Sequence, residues 1–566
     1  MADTTAGAPM EKTLFARKAS GLVKGWSTTD GFRYSFFSTN VFLGIFGFTY
    51  AVFIPGGSLF WAVVITTVLV LLEVVVYAGL ISAMPRAGGD YVWQTRVFHS
   101  SVGFVLAACG WWFILWLWIP LYAQLCVNQF ILPLFRIIGW ESGADWLFSK
   151  TGIFVACLAT IALATYLVAI GMKAYATFQK WALWIGLAGM LVAGILLLVN
   201  SKANFIAAFN RENLQLYGVA GAYGKTLANG GEGMPSSMFA GSAWDTLKLM
   251  PFMLFWLLWP NWGATLYGEV RGAKDFRKNL YQMGGGLLAA AAIGLVFLAL
   301  VSKTMGFKFF MAGNNGYEGV LYGYIPSTPQ GGEYLSPTAM TAWLVNSSAF
   351  QAILIAAISL LVFGWWGTVF LSSTRMIFAS AFDRILPERV AAVTKGGVPY
   401  VALLLMAIPS VVISAFYAYT DWFIKLTYDA TLVIAIMFLG SGLAFMIMPW
   451  RTKAIWAASA LPKAKIAGIP VMAIAAAGYS AFLAFNLYLW FYDPTNTYGV
   501  GYKNSNSLIF MAILYVTAIV IWVVAWAVRK RQGMALEAVA KEIPVELSRR
   551  TWGRSAPVRV CGRRLG

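Results

Sequence analysis

Residues 248–267 read KLMPFMLFWLLWPNWGATLY. The segment is long and apolar enough to cross about 30 Å of hydrocarbon as a helix. Pro260-Asn261 and then Gly263 interrupt it at mid-span. Five spans earlier, residues 34–54 carry Gly44 and Gly47. A helix broken near the bilayer midplane exposes backbone N–H and C=O groups that can bind a carboxylate, an ammonium or a cation. Two broken spans five helices apart are what an inverted five-plus-five repeat gives, with a broken helix opening each half. A packing or kink role for the same Gly and Pro residues is the competing reading.

Ten further apolar stretches surround these two, at 59–81, 103–133, 152–171, 175–199, 283–303, 349–372, 399–418, 426–449, 467–490 and 507–528, making twelve expected spans. Of the 566 residues, 60% are apolar or aromatic and only 11% are charged, against about 25% charged in a soluble chain. The mean hydropathy is +0.71. These values exclude a cytosolic enzyme, a nucleic-acid binder and a disordered scaffold, and they predict an all-α protein embedded in the lipid bilayer, since strand alternation is absent. The net charge of +19 follows from topology. With the N-terminus inside, 31 of the 41 lysines and arginines fall on the inner side, which is the positive-inside asymmetry. Both termini are therefore expected in the cytoplasm of a multi-pass cell-membrane protein, and the polar start predicts no cleavable signal. Cys109, Cys126 and Cys157 lie in apolar runs, Cys561 in the tail, and His99 is the only histidine. No metal site or disulfide framework is implied. An intramembrane enzyme would need clustered His, Asp or Glu at depth, and only Glu73 is there. A non-transport enzyme or a channel is the remaining reading of another class.

Three connections carry a family resemblance. After span 2 comes Met84-Pro85-Arg86-Ala87-Gly88-Gly89-Asp90-Tyr91-Val92-Trp93, then Arg96 and Gly103-Phe104. After span 6 come Gly268-Glu269-Val270 and Phe276-Arg277-Lys278-Asn279-Leu280. After span 8 come Ser372-Ser373-Thr374-Arg375-Met376-Ile377-Phe378-Ala379, Asp383, Leu386-Pro387 and Gly397-Val398-Pro399-Tyr400. These resemble the inner loops of the amino acid–polyamine–organocation permeases, over roughly spans 1 to 10. The resemblance implies a LeuT-type five-plus-five inverted repeat with two additional C-terminal helices, twelve in all, and secondary transport of amino acids or related amines. The implied layout is a cytoplasmic N-terminal segment 1–33, a first repeat 34–199, an extracellular loop 200–247, a second repeat 248–449, helices 11 and 12 in 450–528, and a basic cytoplasmic tail 529–566. The long outer loops, 200–247 and 304–348, carry no motif and are candidates for an external cap. Amino acid exchange and amine transport are the alternatives within the family. No organic cofactor is implied, and nothing in the sequence sets the oligomeric state.

The resemblance also implies a site. In the family the substrate carboxylate meets N–H groups of broken helix 1 and its ammonium meets C=O groups of helix 6. The matching stretch here is Phe42-Leu43-Gly44-Ile45-Phe46, of which only the last three residues match the family's G-S-G-I-F. Leu43, Gly44 and Ile45 would offer the N–H groups. In span 6 the implied lining is Phe255 as a gating aromatic, Trp256, Leu257, Trp259 and Asn261. Leu258 and Trp259 stand where the family usually has small residues, so Trp259 either narrows the pocket or faces lipid. Helical hydrogen bonds should be lost near 41–45 and 257–262. Arg86, Glu269, Arg375 and Asp383 are the candidate inner gate, with a simple turn scaffold as the other reading of Arg86.

Two readings of energy coupling stand side by side. Proton-dependent members often carry a lysine on helix 5, and Gly186 occupies that place here. Ser372 and Ser373, the carbonyl of Val369 and carbonyls near Ser38 and Val41 could instead ligate a sodium ion. The same serine hydroxyls could simply bond back to their own helix. The rival is Glu73, about 18 Å up its helix from Pro85, either as a proton carrier or as a neutral hydrogen-bonding residue.

Overall fold

The computed structural model describes Leu22 and residues 25–537 apart from 395, 424 and 425. Most of the basic tail, and the N-terminal segment before Leu22, lie outside the described residues. Eleven helices among the described residues are long and apolar enough to cross a membrane. They are the expected spans 1 to 5 and 7 to 12. Span 6 is absent from that count because it is broken. Its helix Ala243–Leu257 has 15 residues and resumes past Pro260 only as a short 3-10 turn, Trp262–Leu266. The sheet content is one two-residue hairpin, Lys465–Ile466 with Ile469–Pro470. The protein is an all-α, multi-span membrane protein.

Burial separates the spans by role. The apolar window of span 1, Thr28–Phe53, is 94% buried, whereas that of span 12, Ser505–Arg531, is 22% buried. Span 12 shows Ile509, Ile513, Val516, Val520 and Val524 on its surface, an apolar face suited to lipid. Span 1 is wrapped by other helices. The packing comes in exchanged pairs: span 1 lies on span 7 and span 2 on span 6, while span 4 lies on span 8 and span 3 on span 9.

The bundle has two distinct ends. At the end where the described residues begin and finish, the connection after span 2 turns on Gly88 and Gly89, whose φ angles of 101° and 46° favour glycine. The turn leads into helix Asp90–Val97. At the other end the two long connections fold into helices, Lys202–Tyr217, Ala222–Gly230 and Phe307–Tyr322. They stack on one another, with Tyr223 and Phe309 4.3 Å apart and parallel. Lys303 ties this cap to the end of span 5 by donating to the carbonyls of Leu197, Leu198 and Asn200. A cation there complements the negative end of the helix dipole.

Candidate functional site

Span 1 breaks at Asn40. Helix Thr28–Thr39 stops there and helix Val41–Gly47 begins. Asn40 has φ 41°, a backbone region that Asn tolerates better than other side chains. Its side-chain oxygen accepts the N–H of Phe42 at 2.8 Å, and its own carbonyl accepts the N–H groups of Leu43 and Gly44. The carbonyls of Ser38 and Thr39 thereby lose their helical donors, which are redirected to Asn40. The amide nitrogen of Asn40 reaches the carbonyl of Leu361 on span 8 at 3.2 Å. This moves the expected break from 41–45 to residue 40. It also corrects the expectation that Leu43 and Gly44 present free N–H groups: both donate within the chain here, because the capping Asn collects the first turn.

Span 6 breaks differently. Pro260 has no N–H, so the carbonyl of Trp256 has no donor four residues on. Trp262 N–H turns back to Trp259 and Ala264 N–H to Asn261. The Asn261 side chain is fully buried, yet neither its oxygen nor its nitrogen has a hydrogen-bond partner among the described residues. A buried amide left this way costs about 1–3 kcal/mol.

Aromatic rings pack the space around the two breaks. Trp256 lies so close to Gly44 that a Cβ there would come within 2.2 Å of the ring. Trp259 is 2% exposed, donates its indole N–H to Phe255 O at 2.7 Å, and packs edge-on to Trp118 and Trp262. It faces the bundle interior, not lipid. Phe255 stacks on Trp118 and meets Tyr50 and Tyr428 on its other side. Leu257 is buried with them. From span 3, a π-helical stretch Val127–Ile131 turns Gln129 inward, and its amide donates to the carbonyl of Phe42 at 3.0 Å.

Spans 1, 6 and 8 meet below the breaks. The hydroxyl of Tyr34 lies 3.0 Å from Thr368 O and 2.8 Å from Ser372 Oγ, and Ser372 donates to Trp262 O at 2.8 Å. Trp262 donates to the same Thr368 carbonyl. Ser373 bonds back to Val369 O at 2.7 Å. Ser38 bonds back to Tyr34 O, and Val41 is buried in the first turn after the break. The residue brought directly against Ser372 is thus Tyr34, one turn before Ser38. Glu73 is fully buried, and no hydrogen bond of normal geometry reaches its carboxylate oxygens among the described residues. It faces Tyr479 of span 11 and has Asp90 nearby.

Three of the residues expected at the inner gate lie in two buried ion pairs. Arg375 grips Glu269 through Nε and Nη2 at 2.8 and 3.1 Å. Asp383 is gripped by Arg96 at 2.6 and 3.1 Å, with Tyr91 adding a hydrogen bond at 2.9 Å. Arg86 donates to the carbonyl of Pro85 in its own turn. The backbone of Glu269 also accepts the N–H groups of Gly25 and Trp26, so the N-terminal strand straps this end. Asp90 receives Tyr77, Ser441 and Trp111, and the Trp111 ring lies 4.5 Å from Trp262.

Asn40, Tyr34, Gln129, Arg96 and Trp262 are the site residues that sequence reasoning missed. Asn40 had a readable signal, a residue that tolerates positive φ and caps helices, set just before an apolar run.

The family model described as "Amino acid permease" matches residues 30–524. No curated protein matches the chain. The match covers both breaks, both buried ion pairs and all twelve expected spans but the end of the last. Such permeases move amino acids across membranes, and this chain belongs to the amino acid permease family.

Proposed function

We propose that the protein is a secondary active transporter that carries its amino acid by alternating access, with the substrate held between the breaks of spans 1 and 6. The observation that carries this reading is Asn261. Its buried, unpartnered amide beside a proline-broken helix is stabilised when a substrate carboxylate or ammonium supplies the missing hydrogen bond. The exchanged packing pairs favour the five-plus-five inverted repeat. The lysine and arginine asymmetry favours cytoplasmic termini. The two buried ion pairs and the Trp26 strap would form the closed inner gate, which must open for release.

Coupling to a cation, sodium ahead of proton, completes the proposal. The redirected carbonyls of Ser38 and Thr39 and the hydroxyls of Ser372 and Ser373 supply oxygen ligands of the kind a hard monovalent cation takes. A serine hydroxyl that donates one hydrogen bond keeps lone pairs for an ion. Purified protein in liposomes tests the whole reading. Uptake of a labelled amino acid should need an inward cation gradient and fall in Asn261→Ala with the protein still folded. Uptake unaffected by Asn261→Ala would remove the substrate from span 6.

A further inference from the structure

We infer that the cap carries an ammonium-binding subsite built on Glu318, and that the substrates therefore include amino acids or amines with a cationic side chain. The inference deepens the transport reading above and rests on it. Glu318 lies in cap helix Phe307–Tyr322, in a loop where the sequence shows no motif. Its side chain is fully buried, and the Thr49 hydroxyl neighbours it, though no hydrogen bond of normal geometry reaches either carboxylate oxygen among the described residues.

The surroundings point to a cation. The turn carrying Thr49 and Tyr50, at the cap end of span 1, packs on the helix of Glu318, and Tyr317, Tyr334 and Tyr428 lie within electrostatic range of the carboxylate. The hydroxyls of Thr49, Tyr334 and Tyr428 are buried, and among the described residues none makes a hydrogen bond of normal geometry. Among the described residues no lysine or arginine forms an ion pair with Glu318. A carboxylate removed from water is costly unless a cation meets it, and aromatic rings around it offer their negative faces to the same cation. A primary ammonium has three donors and no acceptor. It matches two carboxylate oxygens with hydroxyl acceptors nearby, which a neutral side chain does not.

The subsite also sits on the path to the breaks. Tyr50 is 4.7 Å from Tyr428, and both contact Phe255 at 5.6 and 5.4 Å. On its other side Phe255 stacks on Trp118, which packs against Trp259. An aromatic column thus runs from Glu318 to the span 6 break. A cationic substrate would pause under the cap at Glu318 and pass down that column.

The test is ligand binding to the full-length protein, followed by tryptophan fluorescence, with L-lysine and the diamine putrescine against L-norleucine, the neutral chain of matching length. Wild type should bind lysine at least about tenfold more tightly than norleucine. Glu318→Gln should weaken lysine and putrescine by about 30-fold or more, as losing one partner of a buried charge pair does, and leave norleucine unchanged. Asn261→Ala should weaken lysine and norleucine alike. Norleucine bound as well as lysine in wild type, or equal losses for both in Glu318→Gln, would overturn the ammonium subsite while leaving transport intact. A Glu318→Gln loss of sodium affinity with lysine affinity kept would assign the carboxylate to an inorganic ion and also overturn it. Binding of none of the three ligands would instead fail the transport reading itself. Should Glu318→Gln not fold, the wild-type ratio of lysine to norleucine decides alone.

Discussion

The two broken spans solve the same problem in opposite ways. In span 1 the chain heals its own break: Asn40 adopts the positive φ, caps the next helix with its side chain and collects two more N–H groups on its carbonyl. In span 6 Pro260 opens the break, the backbone turns back on itself at Trp262 and Ala264, and the Asn261 side-chain amide has no partner among the described residues. A break whose N–H groups are met within the chain is a structural turn, and a buried side-chain amide left unmet is, on the reading proposed above, a place for a ligand. Span 1 should therefore respond to mutation through stability, and span 6 through binding.

The largest effect is expected where the loose half of span 6 is tied down. Glu269 follows the 3-10 turn, and among the described side chains the buried Arg375 on span 8 holds it. Arg375→Ala leaves that carboxylate buried and unpaired, which costs about 3–5 kcal/mol. A thermal melt in detergent should show a marked drop. Adding Glu269→Gln should recover part of it, because the stranded charge is gone. A melt unchanged in the single variant would show that the pair does not anchor the span.

Next comes the span 1 turn itself. Asn40→Ala loses the cap on Phe42, the bond to Leu361 and the tolerance for φ 41°. The sum of a lost cap and backbone strain is about 1–3 kcal/mol. Asn40→Gly keeps the conformation and should lose less. The expected order in melting temperature is wild type, then Gly, then Ala. If Ala and Gly are equal, the backbone conformation is not what makes Asn40 necessary.

Asn261→Ala should do the reverse. Removing an unpartnered buried amide leaves stability level or slightly higher. Substrate affinity should fall by the net worth of one hydrogen bond, about 0.5–1.5 kcal/mol, or roughly 2- to 10-fold in Kd. A loss of stability in Asn261→Ala would mean that the Asn261 amide is met within the chain too, and the contrast between the spans would collapse.

That contrast was half legible in the sequence. Pro260 announces its break because a missing N–H is a covalent fact, and the twelve apolar stretches follow from the thickness of a bilayer. The span 1 break was placed one residue or more too far along, at the Gly44 region, because glycine marks permitted flexibility and Asn40 marks the actual turn. Gly44 serves instead to admit the Trp256 ring. Trp259 could not be oriented from sequence, since lipid and the bundle interior are both apolar and an indole suits either. Arg96, which grips Asp383, was not singled out for the gate, because it lies beyond a double-glycine turn whose direction no spacing rule supplies. The cap helices hid for a related reason: their Gly- and Asn-rich sequences read as loop, and only packing against one another makes them helical.

The smallest structural effect is expected at the serines of span 8, and it bears on which break holds the ion. Ser373 bonds to its own helix, so Ser373→Ala should change stability by less than about 1 kcal/mol. Ser372 bridges Tyr34 of span 1 and the Trp262 carbonyl of span 6, so Ser372→Ala removes a contact shared by both broken spans. If a sodium ion belongs to the healed break of span 1, the double variant should lose sodium dependence of uptake while still binding amino acid. Glu73→Gln should then change little, since a neutral amide has the shape of a protonated acid and Glu73 faces span 11 rather than either break. Uptake that follows a proton gradient, ignores sodium and disappears in Glu73→Gln would move coupling away from both breaks. The contact of spans 2 and 11 would then be the element that senses the gradient, and Ser372 would be left as a strut holding the two broken helices together.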